Sequence, residues 1–292
     1  MTETGAFGAL GDLLEDIVVW LAEPVRDATD TEAELYRTRG GSAANVAAAA
    51  AGVRPTRFLG CVGADGVGDA LVAELAACGV DVRVQRRGTT GAVVVLVGPD
   101  GERTMFPNQG ASGLLTTVDE SWLDGLAHLH VTAYSFLREP VATATRDVLR
   151  RLRAAGVPVS VDASSAGRLQ RYGAARFAAL LGGLRPAYLL ANRAEADLLG
   201  LLDGAPLPGT TVVVKDGAAP TTVLAPGEPR LRVPVPPVDR VRDLTGAGDA
   251  FAAGFLTARV DGADLRAACE RGHALAAGVL SGPGATPARP DP

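Results

Sequence analysis

The string Asp243-Leu244-Thr245-Gly246-Ala247-Gly248-Asp249-Ala250-Phe251 holds the residue types that phosphate chemistry needs. Gly246, Ala247 and Gly248 are small enough for successive backbone N–H groups to turn toward one point. The apolar run that follows, Ala250 to Leu256, reads as a buried helix whose first turn leaves N–H groups unpaired. Together they make a site for an anion. A carboxylate at Asp249 would repel a bound phosphate unless it has a task there. The task that fits is accepting the proton of a hydroxyl that attacks the phosphate. Short small-residue turns also serve only to pack a helix on a strand, so the string gains weight from its neighbours.

Those neighbours are spread along the chain. In Arg39-Gly40-Gly41-Ser42-Ala43-Ala44-Asn45, two glycines allow close backbone approach, and Asn45 brings a donor and an acceptor to a helix start. Asn192 and Glu195 fall one helical turn apart and can face one region, although a capping Asn with a first-turn Glu gives the same pattern. One βα unit later, Val213-Val214-Lys215-Asp216-Gly217 steps from strand to glycine. Asp162 ends a strand at the expected ligand edge of a sheet.

In this order the strings resemble the signatures of the ribokinase-like (PfkB) sugar kinase family. The C-terminal string departs from Asp-Thr-Thr-Gly-Ala-Gly-Asp-x-Phe only at Leu244, and the Gly40–Asn45 cluster has Ala43 for a third glycine. The resemblance runs from Gly11 to Ala285. It implies an α/β fold, a three-layer sandwich with a mostly parallel central sheet and a small β-sheet lid. It further implies one kinase domain over residues 1–292, with lid segments near 17–37 and 92–106, and leaves a homodimer through the lid open. ATP and Mg2+ are the implied cofactors, with a small sugar-like molecule as acceptor. Asp16, Gly40, Gly41 and Asn45 are then expected to hold the acceptor beside Asp249, with Asn192, Lys215, Gly217, Thr245, Gly246 and Gly248 on the nucleotide. Asn192 and Glu195 are expected to order Mg2+ largely through water, and Asp243, Thr245 and Gly284 to offer a site for K+ or another monovalent cation. Three departures matter: Leu14 stands where ribokinase has an Asn, Pro220 where a second glycine is usual, and Ala288 where ribokinase has a Ser. No Glu near Tyr134-Ser135 matches the one ribokinase uses on ribose, so ribose is not the default acceptor.

The elements that must position these residues alternate. Strands are expected at Asp16–Trp20, Arg57–Val62, Ala92–Val97, Leu129–Val131, Pro158–Asp162, Ala187–Leu190 and Thr211–Lys215. Helices are expected at Ala43–Ala51, Asp69–Cys78, Pro140–Ala155, Ala174–Leu184, Arg193–Leu199, Ala250–Arg259, Leu265–Glu270 and His273–Leu280. Pro99-Asp100-Gly101-Glu102 predicts a hairpin into Arg103–Phe106, and Val233–Pro237 reads as extended and edge-like. This rhythm is that of a parallel sheet covered by helices.

Composition removes several classes. A chain of 292 residues with net charge −5 and no basic cluster does not suit nucleic acid. It has no apolar stretch long enough to span a bilayer and no leader-like start in residues 1–11, which predicts a cytoplasmic protein. Cys61, Cys78 and Cys269 are isolated, and His128, His130 and His273 are scattered, which argues against zinc or a disulfide framework. Nearly all cationic work falls to arginine, since Lys215 is the only lysine. The reading that results is a kinase acting on a primary hydroxyl. A nucleoside kinase, with Trp20, Tyr36 and Phe106 offering apolar surface to a base, and a non-catalytic sugar- or nucleotide-binding regulator stay open beside it. A dinucleotide-binding oxidoreductase is weaker, because no Gly-x-Gly-x-x-Gly follows the first strand.

Overall fold

Strands buried on both faces carry apolar residues at successive positions, and the Ala- and Leu-rich stretches between them have room to coil into covering helices. The computed structural model describes residues 5–202, 207–238, 241 and 244–280. In chain order the first strands are β1 (Ala6–Gly11), β2 (Leu14–Leu21), β3 (Ala33–Gly40), β4 (Thr56–Val62), β5 (Val80–Arg86), β6 (Thr90–Val97) and β7 (Arg103–Gly110). They are followed by β8 (Leu126–Thr132), β9 (Val159–Asp162), β10 (Tyr188–Asn192), β11 (Thr211–Asp216), β12 (Ala219–Leu224) and β13 (Leu231–Val233). The helices are α1 (Ser42–Ala51), α2 (Gly66–Ala77), α3 (Val141–Ala154), α4 (Ala166–Tyr172), α5 (Ala174–Leu184), α6 (Arg193–Leu198), α7 (Ala247–Val260) and α8 (Leu265–Leu280).

Among the described residues a nine-stranded sheet runs β13-β12-β11-β10-β9-β8-β1-β4-β5. Its pairings are parallel except for the β11–β12 and β12–β13 contacts. Alternate side chains feed two cores. Leu10, Leu59, Leu129, Val161 and Leu189 pack under helices α3 to α6, and Phe7, Phe58, Leu190 and Val213 pack under α1, α2, α7 and α8. From β1 the chain proceeds through β4 and β5 to one side, then from β8 through β11 to the other. The carboxyl ends of β1 and β8 therefore border the topological switch point, where open α/β sheets place their ligands.

A separate four-stranded sheet, ordered β3-β2-β6-β7, gathers the two segments that break the βα rhythm. The register sets its faces. Asp16 lies across from Thr38, Val18 from Tyr36 and Trp20 from Glu34, and paired residues share a side, so Asp16, Trp20 and Tyr36 lie on one face. Val95 continues that face to Met105. Phe106 pairs with Val94 and lies on the opposite face, so the expectation that it joins Trp20 and Tyr36 as one apolar surface is corrected.

Other boundaries also differ from expectation. Helix α7 begins at Ala247 rather than Ala250, which brings Asp249 into its first turn. Leu265–Glu270 and His273–Leu280 form one continuous helix, because Gly272 is buried against Phe251 of α7 and need not end a turn. Only Val233 of the Val233–Pro237 run is in a strand, since prolines cannot donate to the ladder.

Candidate active site

Asp249 is the centre of the site. Ser42 Oγ donates to its Oδ1 at 2.6 Å, and Asn45 Nδ2 donates to its Oδ2 at 3.0 Å. Both donors come from the first turn of α1, more than two hundred residues away in sequence. Burial raises the carboxyl of Asp249 to about 6, against the lowering effect of those two hydrogen bonds. Asn45 is itself held from behind, since buried Arg39 donates from Nη1 to Asn45 Oδ1 at 2.9 Å. This contact fixes the amide so that its nitrogen faces Asp249.

The turn before α1 depends on two glycines. A side chain on Gly40 would meet Asp16 Oδ1 at 2.3 Å, so Gly40 is where the Asp16 carboxylate lies flat on the backbone. Gly41 has φ 100°, and a Cβ there would meet the carbonyl oxygen of Asp12 at 2.4 Å. Asp12, which the sequence reading assigned no task, is buried at the switch point. It accepts from the Ser42 N–H at 3.2 Å and from Thr132 Oγ1 at 3.4 Å, anchoring the start of α1 to the ends of β1 and β8. Burial also raises its pKa. Ala43, which replaces a glycine, fits because its methyl packs against Gly11, where a Cβ would be only 2.8 Å away.

Asp16 has no hydrogen-bond donor among the described residues. Its carboxyl is pushed up to about 7, by burial first and then by the nearby charges of Asp12 and Asp249, with Arg39 opposing. A carboxylate in such a setting is poorly satisfied by the protein alone.

On the other side of Asp249 lies the Gly-Ala-Gly turn expected to hold an anion. Gly246 caps α7 in the left-handed region, and the N–H of Ala247 bonds the Leu244 carbonyl at 3.3 Å. That leaves the N–H groups of Gly246 and Gly248 without a backbone partner among the described residues, two rather than the three expected. Lys215 sits beside this turn, since a Cβ on Gly248 would meet its Nζ at 3.3 Å. Lys215 Nζ donates to Asp162 Oδ2 at 2.8 Å, and the Ser164 N–H holds the other oxygen at 2.7 Å. Burial works against the ammonium charge, but Asp162, Glu195 and Asp249 outweigh it and raise the Lys215 pKa. Arg103, from the start of β7, donates to Thr245 Oγ1 at 2.8 Å and so ties the small sheet to the Gly-Ala-Gly turn.

Asn192 and Glu195 form a full capping box at the start of α6. Asn192 Oδ1 accepts from the Glu195 N–H at 2.9 Å, and the Glu195 carboxylate accepts from both the backbone and the side-chain nitrogen of Asn192 at 2.8 Å. Glu195 is buried and raised to about 7, by burial first and next by the charge of Asp162. Gly217 lies in the tight turn joining β11 to β12, in which Asp216 pairs with Ala219. Pro220 is accommodated within β12. Asp243 and Gly284 lie outside the described residues, as does Ala288.

Among the described residues no group of three or more His, Cys, Asp or Glu side chains could cage a metal. The donor set instead suits an ion that keeps its water shell. The charge of Asp162 raises both Glu195 and Asp249, and all three carboxylates act on Lys215, a concentration of negative charge that a hydrated dication would relieve.

A helix N-terminus whose Gly246 and Gly248 N–H groups have no backbone partner among the described residues, a half-buried carboxylate in its first turn and a second carboxylate close enough to act on it make an arrangement compatible with phosphoryl transfer. Comparison with known proteins agrees. The profile described as "pfkB family carbohydrate kinase" matches residues 10–292, and the chain belongs to that family of phosphotransferases acting on alcohol groups. It is 34% identical over 267 residues to an "ATP-dependent ribose-1-phosphate kinase" of Halopiger xanaduensis, covering 86% of this chain and 84% of that one. Among solved structures, an adenosine kinase from Sinorhizobium meliloti superposes with a TM-score of 0.85 at 22% identity, covering 97% of this chain and 96% of the other. A "putative Ribokinase II in complex with ATP and Mg+2 from E.coli" superposes with a TM-score of 0.82 at 23% identity, covering 96% and 94%. The chain is thus a sugar or nucleoside kinase with the ribokinase-like fold. Among the described residues no helix is long and apolar enough to cross a membrane.

Ser42, Asp12, Arg39 and Arg103 were given no role from the sequence. Ser42 and Arg39 lie inside the glycine-rich cluster, and Asp12 lies four residues before Asp16, so proximity to a recognised string was the available signal.

Proposed function

We propose that the chain transfers the γ-phosphoryl group of ATP, with Mg2+, to a primary hydroxyl of a small sugar or sugar derivative. The observation that carries this is the double grip of Ser42 and Asn45 on Asp249, which fixes a half-buried carboxylate in the first turn of α7. Asp249 takes the proton of the acceptor hydroxyl. The acceptor oxygen forms its bond to phosphorus as the bond to the β-phosphate oxygen breaks, and ADP leaves. Each carboxylate oxygen has a lone pair left after its present hydrogen bond, so the acceptor need not displace Ser42. The N–H groups of Gly246 and Gly248 receive the charge of the transferring group, with Ala247 supporting the turn, and Lys215 and Gly217 border the nucleotide phosphates. A bound Mg2+ would supply charge neutralisation at the phosphates. Asn192 and Glu195 would hold its water shell.

Asp16, Gly40, Gly41 and Asn45 hold the acceptor in this reading, and the small sheet forms a lid over it within a single kinase domain. Buried Leu14 brings no polar group to the pocket, which weakens the case for free ribose and makes ribose 1-phosphate, the substrate in the relative's name, the first acceptor to test. A nucleoside acceptor is the second reading. It is favoured by the exposed Trp20 and Tyr36 on the same face of the lid as Asp16. The opposite face exposes Leu35 and Phe106, which suits a homodimer through the lid. A cytoplasmic setting and a weak response to K+ complete the proposal.

The test is ADP release by purified protein against pentoses, pentose phosphates, ketohexoses and nucleosides, with Asp249→Asn as control. The variant should keep substrate binding and lose turnover by about two to four orders of magnitude on the true acceptor. Near-normal turnover would remove Asp249 from the chemistry.

A further inference from the structure

A cluster of cations lies at the far end of the sheet. A cavity of about 530 Å³ opens between α3, the end of α5 and the starts of β9, β10 and β11, reaching Val159, Ala187 and Gly209. Those three strands run parallel from this cavity to Asp162, Asn192 and Lys215, so roughly 15 Å of extended chain separates it from the phosphoryl-transfer site. Four arginines line it: Arg146, Arg150 and Arg153 from α3, and Arg185 from the end of α5. On α3 they recur at intervals of four and three, which sets all three guanidinium groups along one side of the helix.

Only two of these four charges are paired with a carboxylate among the described residues. Arg146 pairs with Glu139 at 2.8 Å and Arg150 with Asp147, but neither carboxylate lines the cavity. Among the described residues the guanidinium groups of Arg153 and Arg185 have neither an ion-pair partner nor a hydrogen bond. In a chain of net charge −5, four guanidinium groups around one cavity without a lining carboxylate run against the average. Arg185 also stands at φ 46°, in the left-handed position after a helix where glycine or asparagine is usual. Leu149 and Val157 add apolar wall. The volume falls within the usual range for small-molecule pockets. Planar guanidinium forks facing one space match adjacent phosphate groups better than a single carboxylate.

We infer that this cavity is a second ligand site, distinct from the phosphoryl-transfer site, for a small molecule carrying two adjacent phosphates. Nucleoside diphosphates and free pyrophosphate share that chemistry. An acidic peptide would need a longer groove than these residues form.

The probes are ADP and inorganic pyrophosphate, titrated separately by calorimetry into the full chain without Mg2+. The comparison is with R153Q/R185Q, two exposed positions away from the phosphoryl-transfer site, whose unchanged kcat and KM show that the fold is kept. At least one probe should bind the wild type with one equivalent more than the variant, or with at least tenfold higher affinity at the second site. A difference with pyrophosphate alone assigns the site to the diphosphate group. A difference with ADP only adds the apolar wall as a nucleoside contact. Equal stoichiometry and affinity in both proteins would overturn the inference, as would binding of polyglutamate with neither probe. The reading is a difference between two proteins, so it stands or falls separately from the kinase assignment.

Discussion

Asn45→Ala probes the proposed base without touching it. The Asn45 amide donates to the ionised form of Asp249 at 3.0 Å and is held in that orientation by Arg39. A hydrogen bond to a charged group contributes about 1.5–3 kcal/mol, which is about one to two pKa units. Asp249 lies near 6 in the folded protein, so the variant should titrate near 7 to 8. The base works when ionised, so a higher pKa means less active enzyme at neutral pH. At pH 7 the ionised fraction falls from about nine-tenths to between one half and one tenth, a loss of about two- to tenfold in kcat at saturating acceptor. The distinguishing feature is recovery, since that loss should vanish by about pH 9. Arg39→Met, which frees the amide to rotate, should move the acid limb of kcat the same way by a smaller amount. The assay is a kcat–pH profile for wild type and both variants. A loss that persists unchanged at high pH would refute the reasoning and leave Asn45 as an acceptor contact only.

Asp16→Ala should raise the acceptor KM much more than the ATP KM, because the Asp16 carboxylate lies against Gly40 with no hydrogen-bond donor among the described residues; equal effects in two-substrate kinetics would make Asp16 a fold residue. Activity should require a divalent cation and respond little to potassium, since Ala288 lacks a hydroxyl that would help complete a monovalent site. Assays in sodium, potassium and large organic-cation buffers at fixed Mg2+ check this, and strong activation by potassium alone would count against it. Acid should remove the stabilising contribution of His128 and His130, which flank Ser160 Oγ at 2.8 Å each and are lowered by burial to about 3 and about 4, against an ordinary 6.5. Below 6.5 the unfolded chain binds the histidine protons first, so this contribution is complete above that pH and is lost as pH falls toward 4, while the raised carboxyls of Asp16, Glu195 and Asp249 act in the opposite sense. The histidine part is therefore read as a difference: between about pH 7.5 and 5.5 the urea-unfolding stability of wild type should fall relative to that of His128→Phe by about 1.4 kcal/mol, and parallel pH profiles would refute it.

Much of the fold was legible because βα repetition writes itself in composition. Val159–Asp162, Tyr188–Asn192 and Thr211–Asp216 are short β-branched or aliphatic runs set between Ala/Leu helices, and they lie within a residue or two of where patterning puts them. The strand β1, Ala6–Gly11, was not picked out by composition, because its small residues carry little strand propensity. It is central in the sheet and pairs with β4 and β8, so its conformation is imposed by neighbours far along the chain. The start of α7 was missed for a related reason. Gly246 to Gly248 reads as loop by propensity, yet the first turn of the helix is made of those small residues.

The candidate site divides along the same line. Residue types singled out the Gly-Ala-Gly turn and Asp249, although a turn of that kind also serves simply to pack a helix on a strand. What they could not announce is a relation between α1 and α7. Ser42 is an ordinary serine until the fold brings its hydroxyl to Asp249, and Arg39 an ordinary arginine until burial sets its Nη1 on Asn45. Ala43 shows the converse. On its own it looks like a lost glycine and a looser loop, but the missing side chain is supplied at Gly11, which leaves the space its methyl fills. A departure from a motif therefore has to be judged against the packing partner that the motif does not contain, and here that partner preserves the turn on which Asp12, Ser42 and Asp249 converge.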